Sequence, residues 1–128
     1  MFTIKQLDEQ IIEVYDSGAL TYDDWGQYQK VMLDELNRVD HKLYILSNFA
    51  DITHFDTKIA KEAGTAKHLI HPNLGLIVLL GGSVLMNFIL QITENRAQQE
   101  QKSTRLRIHK DYDRAIDALI HQRNIENS

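Results

Sequence analysis

Asp51, His54 and Asp56 fall within one short polar stretch, Asp51-Ile52-Thr53-His54-Phe55-Asp56. Two carboxylates and an imidazole are plausible ligand types for a divalent ion. No further ligand is indicated nearby, and Asp and His are ordinary loop residues, so no metal is assigned. His68 and His71 stand three apart and could share a helix face as a metal pair. They also fall where a helix should end before Pro72. Polar side chains suit a helix C-terminus, whose carbonyls lack partners, and that reading is preferred.

Gly81-Gly82-Ser83 sits between an apolar run and a helical pattern. Backbone N–H groups in such a turn could hold an anion at the positive end of the following helix. Gly81, Gly82 and Ser83 are therefore candidate anion- or ligand-binding residues. The stretch lacks the third glycine of a dinucleotide fingerprint, and no Gly-Lys-Ser/Thr loop occurs. A tight turn with Ser83 as N-cap is the simpler account. Ser47 and Ser83 carry hydroxyls, but Gly-x-Ser-x-Gly is absent. Asp23-Asp24 and Asp34-Glu35 belong to the exposed side of a helix. With no paired nucleophile and base, no cofactor loop and no cysteine, the chain is expected to have no hydrolase, transferase or oxidoreductase activity and no cofactor.

Composition narrows the partners. The 128 residues are 43% hydrophobic and 25% charged, with a net charge of -4. They suit one globular domain, 1–128, with one core. A mildly acidic chain with dispersed Lys and Arg favours neither nucleic acid nor an anionic membrane. The absence of cysteine excludes disulfides and thiolate chemistry. The N-terminus lacks the pattern of a signal peptide, and the longest apolar run, Leu74 to Leu80, is too short to span a bilayer. A cytoplasmic protein is expected.

The elements that must position these residues follow from periodicity. Phe2–Leu7 and Ile11–Asp16 read as strands of a hairpin around Asp8-Glu9-Gln10, with Gly18 ending the second. Thr21 and Asp24 form a capping-box start for a helix over Tyr22–Arg38, whose stripe Trp25, Tyr28, Val31, Met32, Leu36 and Val39 packs on a sheet. Leu43–Phe49 is a strand, followed by a loop to an N-cap at Asp56 or Thr57. A helix is expected over Thr57–Ile70, weakened by Gly64 and ended by Pro72. Leu74–Leu80, apolar throughout, reads as a central strand. A helix over Val84–Arg96 turns Leu85, Phe88, Ile89 and Ile92 inward. After a polar connection at Gln98–Ser103 come a strand, Arg105–His109, and a helix from Lys110 or Asp111. In that helix Tyr112, Ala115, Ile116, Leu119 and Ile120 are the buried stripe. Arg123–Ser128 is expected to fray. The order β-β-α-β-α-β-α-β-α predicts an α/β fold with a mostly parallel five-stranded sheet and an N-terminal β-hairpin.

This order resembles the STAS, or SpoIIAA-like, family over nearly the whole chain. Three features carry the resemblance. They are the strand Leu43–Phe49 leading to Asp56-Thr57 at a helix start, the strand Leu74–Leu80 after His71-Pro72-Asn73, and the Gly81-Gly82-Ser83 turn. The resemblance implies a non-enzymatic regulatory or protein-interaction domain. In the family a serine within Asp-Ser-Ser-Gly at a helix start is phosphorylated by a partner kinase. The matching stretch here is Asp56-Thr57-Lys58-Ile59. The Asp is kept, Thr57 replaces the first serine, Lys58 the usual acceptor and Ile59 the glycine. The resemblance therefore makes Asp56, Thr57 and Lys58 the partner-facing site, with Thr57 a helix cap and no working phosphoswitch.

Right-handed crossovers between sequential strands would place every helix on one side of the sheet. The other face would be an exposed apolar surface. Tyr44 and Leu46, with either Leu76 and Val78 or Ile77 and Leu79, would then form a homodimer or partner interface. Period-2 patterning does not choose the row. The alternative is that helices cover both faces and Leu74–Leu80 is core.

Overall fold

The computed structural model describes residues 2–63, 66–95 and 105–127, with the side chains of 91–95 excepted. The strands are β1 (Thr3–Asp8), β2 (Ile11–Leu20), β3 (Leu43–Phe55), β4 (Leu74–Leu80) and β5 (Leu106–His109). The helices are α1 (Tyr22–Arg38), α2 (Thr57–Ala60), α3 (Ser83–Asn95) and α4 (Tyr112–Glu126), with a 3-10 turn at Lys67–Ile70. The sheet order is β1-β2-β3-β4-β5. β1 runs antiparallel to β2, and the remaining pairs are parallel. This is the expected α/β architecture.

Local chemistry accounts for the helix starts. Thr21 Oγ1 accepts from Asp24 N at 3.1 Å, while the Asp24 carboxylate accepts from Thr21 N at 2.9 Å. The two satisfy orphan donors reciprocally, so α1 occupies the expected residues. Asp111 caps α4 through Asp113 N and Arg114 N.

Two apolar layers flank the sheet. Ile12, Val14, Leu43, Ile45, Leu74, Ile77 and Leu79 face α1 and α3. Trp25, Tyr28, Met32, Leu36, Leu85 and Phe88 are the helical side of that layer. Tyr44, Leu46, Leu76, Val78 and Leu80 face the other way, against Ala115 and Leu119 of α4. The expectation of an open sheet face is therefore corrected. The crossover rule constrains a helix between two parallel strands. No described strand follows α4, so α4 can cross the edge strand and close the second face. Tyr44 and Leu46 are fully buried and offer no docking surface. Leu76 and Val78 are the row beneath α4, while Ile77 and Leu79 belong to the other layer.

Three further expectations change. β2 continues past Gly18, whose φ of 83° a glycine adopts without strain. β3 continues through the stretch read as a loop, pairing Ser17 with Asp51 and Leu20 with Phe55. The helix expected over Thr57–Ile70 is broken, because Ala66 is extended at φ −62° and ψ 135°. Gly64 and the connection Gln98–Ser103 lie outside the described residues, as does the side chain of Ile92. Residues 123–127, expected to fray, are fastened instead. Arg123 pairs with Asp8, Lys42 Nζ meets Glu126 Oε2 at 2.6 Å, and Asn127 Nδ2 donates to Gln10 Oε1 at 3.1 Å.

His68 lies in an aromatic nest. Its ring meets Tyr28 edge-on at a centroid distance of 5.5 Å and Trp25 at 6.3 Å. Burial lowers its pKa to about 4, which keeps it neutral.

Candidate functional site

The end of β3, the start of α2 and the first turns of α3 meet at the surface. Ile52 and Phe55 of β3 turn inward, leaving Thr53 and His54 exposed. Asp56 is extended, and its Oδ1 accepts from Lys58 N at 2.9 Å. The Asp56 carboxylate is thus the helix cap, and Thr57 is the first helical residue. This corrects the assignment of the cap to Thr57. Thr57 stands one residue past the cap, inside the first turn, and is exposed together with Lys58.

The Phe55 ring stacks on the Phe88 ring of α3, with centroids 4.3 Å apart and planes at 12°. Above this apolar floor is a hollow of about 190 Å³. Thr53, His54 and Thr57 line one wall, and Val84 and Asn87 line the other. Two segments singled out in the sequence, the Asp56 cap region and the turn before α3, therefore lead into one depression. Val84, Asn87 and Phe88 were not read as site residues. Val84 and Asn87 lie off the buried stripe of α3, and that position was the available signal.

The Gly81-Gly82-Ser83 turn is tight for packing reasons. A Cβ on Gly81 would lie 2.8 Å from Leu85 Cβ, so Gly81 lets α3 fold close against β4. Gly82 O accepts from Met86 N at 3.0 Å, which makes Gly82 the cap position and Ser83 the first helical residue. This moves the expected cap by one residue. Gly82 and Ser83 are exposed, and Gly81 is buried.

Asp51, His54 and Asp56 are not brought together. Asp51 accepts from the Tyr15 hydroxyl at 2.6 Å and raises the pKa of that hydroxyl. His54 faces the hollow, while Asp56 caps α2. His68 and His71 also separate. His71 Nδ1 accepts from Asn73 N at 3.0 Å, so its Nε2 carries the hydrogen donated to Asn37 Oδ1 at 2.7 Å. Ser47 is buried, with its hydroxyl 2.7 Å from that of Tyr28. Among the described residues no cluster of three or more His, Cys, Asp or Glu could hold a metal.

The segment beside the hollow carries charges of both signs, Asp56 and Glu62 against Lys58 and Lys61. Lys58 and Lys61 are exposed, and among the described residues neither is in an ion pair. The nearby Glu62 is engaged by the Tyr22 hydroxyl at 2.7 Å. Lys61, four residues after Thr57, stands over the same side of the helical turn.

No protein-family model matches the sequence, and no curated protein matches it. Solved structures do match in fold. The anti-sigma factor antagonist SpoIIAA in its unphosphorylated form is 16% identical, with a TM-score of 0.62 over 94% of this chain and 98% of that one. The Bacillus cell fate determinant SpoIIAA in its phosphorylated form is 15% identical, with a TM-score of 0.59 over 93% and 99%. A protein of SpoIIAA-like fold from Shewanella loihica PV-4 is 12% identical, with a TM-score of 0.55 over 93% and 92%. With its sheet order, its opening antiparallel hairpin and its two helical layers all on view, the chain has the SpoIIAA-like α/β fold.

Proposed function

We propose that the chain is a non-catalytic STAS-like regulatory domain of the cytoplasm that binds a protein partner through the surface where α2 meets α3. The observation that carries this reading is the hollow over the Phe55–Phe88 stack, which Thr57 lines at the start of α2 and Val84 and Asn87 line on α3. The fold adds support, because two of its likenesses are named as SpoIIAA, one an anti-sigma factor antagonist and one a phosphorylated cell fate determinant. Here Lys58 stands at the family's usual acceptor position, and Asp56, not Thr57, holds the helix cap. On this reading Thr57 is a contact residue and not a phosphoswitch. Self-association is no longer motivated, since α4 covers the face on which it rested.

A small-molecule site is the weaker reading. The hollow, at about 190 Å³, is below the roughly 300 Å³ at which such clefts begin. The test is affinity capture from the native cell with wild type, Val84→Glu and Lys58→Glu, quantified by mass spectrometry. The expected result is a protein retained by wild type and lost by both variants. Equal retention by all three would refute the reading.

A further inference from the structure

Trp25 of α1 and His68 of the 3-10 turn meet in the core, with ring centroids 6.3 Å apart and planes at 64°. Trp25 is 7% exposed and His68 2%. Each brings a buried polar atom to this contact, Trp25 Nε1 and His68 Nδ1, and neither atom has a hydrogen-bond partner among the described residues. A polar group taken out of water without a partner is costly, so two of them on adjoining rings call for a third group between them. The nearest hydroxyl does not serve. Tyr28 packs edge-on against His68, but its oxygen is committed to Ser47 Oγ at 2.7 Å.

The chemistry of the two atoms narrows what that third group is. An indole N–H only donates, whereas a neutral imidazole has one nitrogen that accepts. An apolar occupant would leave both atoms unpaired. An ion would sit without a countercharge, since burial alone moves the His68 pKa and no charged neighbour contributes to it. A water accepts from the indole and donates to the imidazole, and buried waters ordinarily join polar groups in this way. Two hydrogen bonds of about 2.9 Å span nitrogens up to about 6 Å apart, which suits rings at this separation.

We infer that one buried water joins Trp25 Nε1–H to His68 Nδ1 and fastens the 3-10 turn to α1. This does not depend on the protein-partner reading. The water also fixes the His68 tautomer. With a hydrogen on Nδ1, the water would face two donors, and both of its own hydrogens would point at aromatic rings. With the lone pair on Nδ1, the water donates there and the imidazole hydrogen sits on Nε2. The turn has few other ties. Its backbone bonds, Leu69 N to Ala66 O at 3.2 Å and His71 N to His68 O at 3.3 Å, are local and do not reach α1. His71, just beyond it, donates to Asn37 at the far end of that helix.

The test uses the full chain labelled with 15N, near pH 7, where His68 is neutral. Trp25 is the one tryptophan of the sequence, so its indole N–H gives a single resonance. Expected is a cross-peak between that proton and a long-lived water, with nitrogen correlations that place the His68 hydrogen on Nε2. Tyr28→Phe should keep the cross-peak, which excludes relay through the Tyr28 hydroxyl. His68→Asn, whose Oδ1 stands in for Nδ1 as acceptor, should keep it too. His68→Leu should lose it, with the indole proton moving upfield. Amide shifts unchanged outside residues 25–28 and 66–71 show that the variants are folded. If His68→Leu does not fold, the wild-type spectra and the His68→Asn and Tyr28→Phe variants decide alone. The inference is overturned by no water cross-peak in wild type, by a direct coupling between the indole and imidazole nitrogens, or by a hydrogen on Nδ1. Loss of the cross-peak in Tyr28→Phe or His68→Asn, or its survival in His68→Leu, overturns it equally.

Discussion

The Tyr44 hydroxyl donates to Glu126 Oε1 across 2.9 Å, joining the centre of the sheet to the last turn of α4. Glu126 also takes Lys42 on its other oxygen. Tyr44→Phe removes one such bond and is expected to cost about 1 kcal/mol. Glu126→Ala strands a hydroxyl beneath α4 as well, so the expected loss is about 2 kcal/mol. Urea denaturation of both variants checks the order. Equal losses would show that leaving the hydroxyl unpaired adds nothing.

The same carboxylate has a pH signature. Burial acts to raise its pKa, but hydrogen bonds from Lys42, Tyr44 and Gln122 outweigh burial, and the net direction is down. A carboxyl with a depressed folded value stabilises above its ordinary range and loses that contribution as pH falls through the folded value. The Glu126→Gln protein should therefore lose less stability than wild type below the ordinary value of 4.5. Parallel stability curves from pH 5 down to about pH 3 would count against this.

His68 dominates a higher pH window. Its folded pKa of about 4 lies below the ordinary 6.5, so the unfolded chain takes up a proton first as pH falls. Stability should be full above pH 6.5 and should decline toward pH 4, by about 3 kcal/mol for a shift of this size. His68→Phe should flatten the decline. Thermal unfolding between pH 7 and pH 4 measures it, and an equally steep slope in the variant would refute the assignment.

Gly75 is the extra residue where the β3–β4 register shifts, since Leu43 pairs with Leu74 and Tyr44 with Leu76. A Cβ there would lie 2.3 Å from the Tyr44 ring. Gly75→Ala is expected to destabilise by about 3 kcal/mol through overpacking. The penalty should largely vanish in a Tyr44→Leu background. Additive losses in the double variant would mean that the ring is not the cause.

The two neighbours at the start of α2 should behave differently. Asp56→Ala removes the cap to Lys58 N, at a cost of about 1 kcal/mol. Thr57→Ala touches a surface hydroxyl and should fall within about 0.5 kcal/mol of wild type. Denaturation midpoints that reverse this order would restore the cap to Thr57.

Strand and helix order was legible because period and caps agree. Thr21 with Asp24, the apolar run Leu74–Leu80 and the stripe Trp25–Leu36 each say the same thing locally and globally. The face of α4 was not legible, because one terminal helix with alternating Ala and Leu or Ile positions carries no label for either side of a sheet. The continuation of β3 was hidden for a different reason. Register shifts after Tyr15 and Gly18 of β2 break the period of two over Asp51–Phe55, so the stretch imitates a loop. The Asp56 region was found through resemblance, whereas Asn87 and Val84 were missed. Off-stripe residues of a helix resemble ordinary surface until the hollow beside them is known.

β3 pairs with β4 only as far as Asn48 and Leu80, but with β2 as far as Phe55. Beyond Asn48 the five-stranded sheet thus narrows to a two-stranded tongue, and α2 springs from its tip. A ribbon of two strands twists more freely than a full sheet. The Phe55–Phe88 stack joins this tongue to α3, beside the core contacts of Leu20 and Ile52. Whatever sits above that stack touches tongue and helix together, since Thr53, His54 and Thr57 come from one and Val84 and Asn87 from the other.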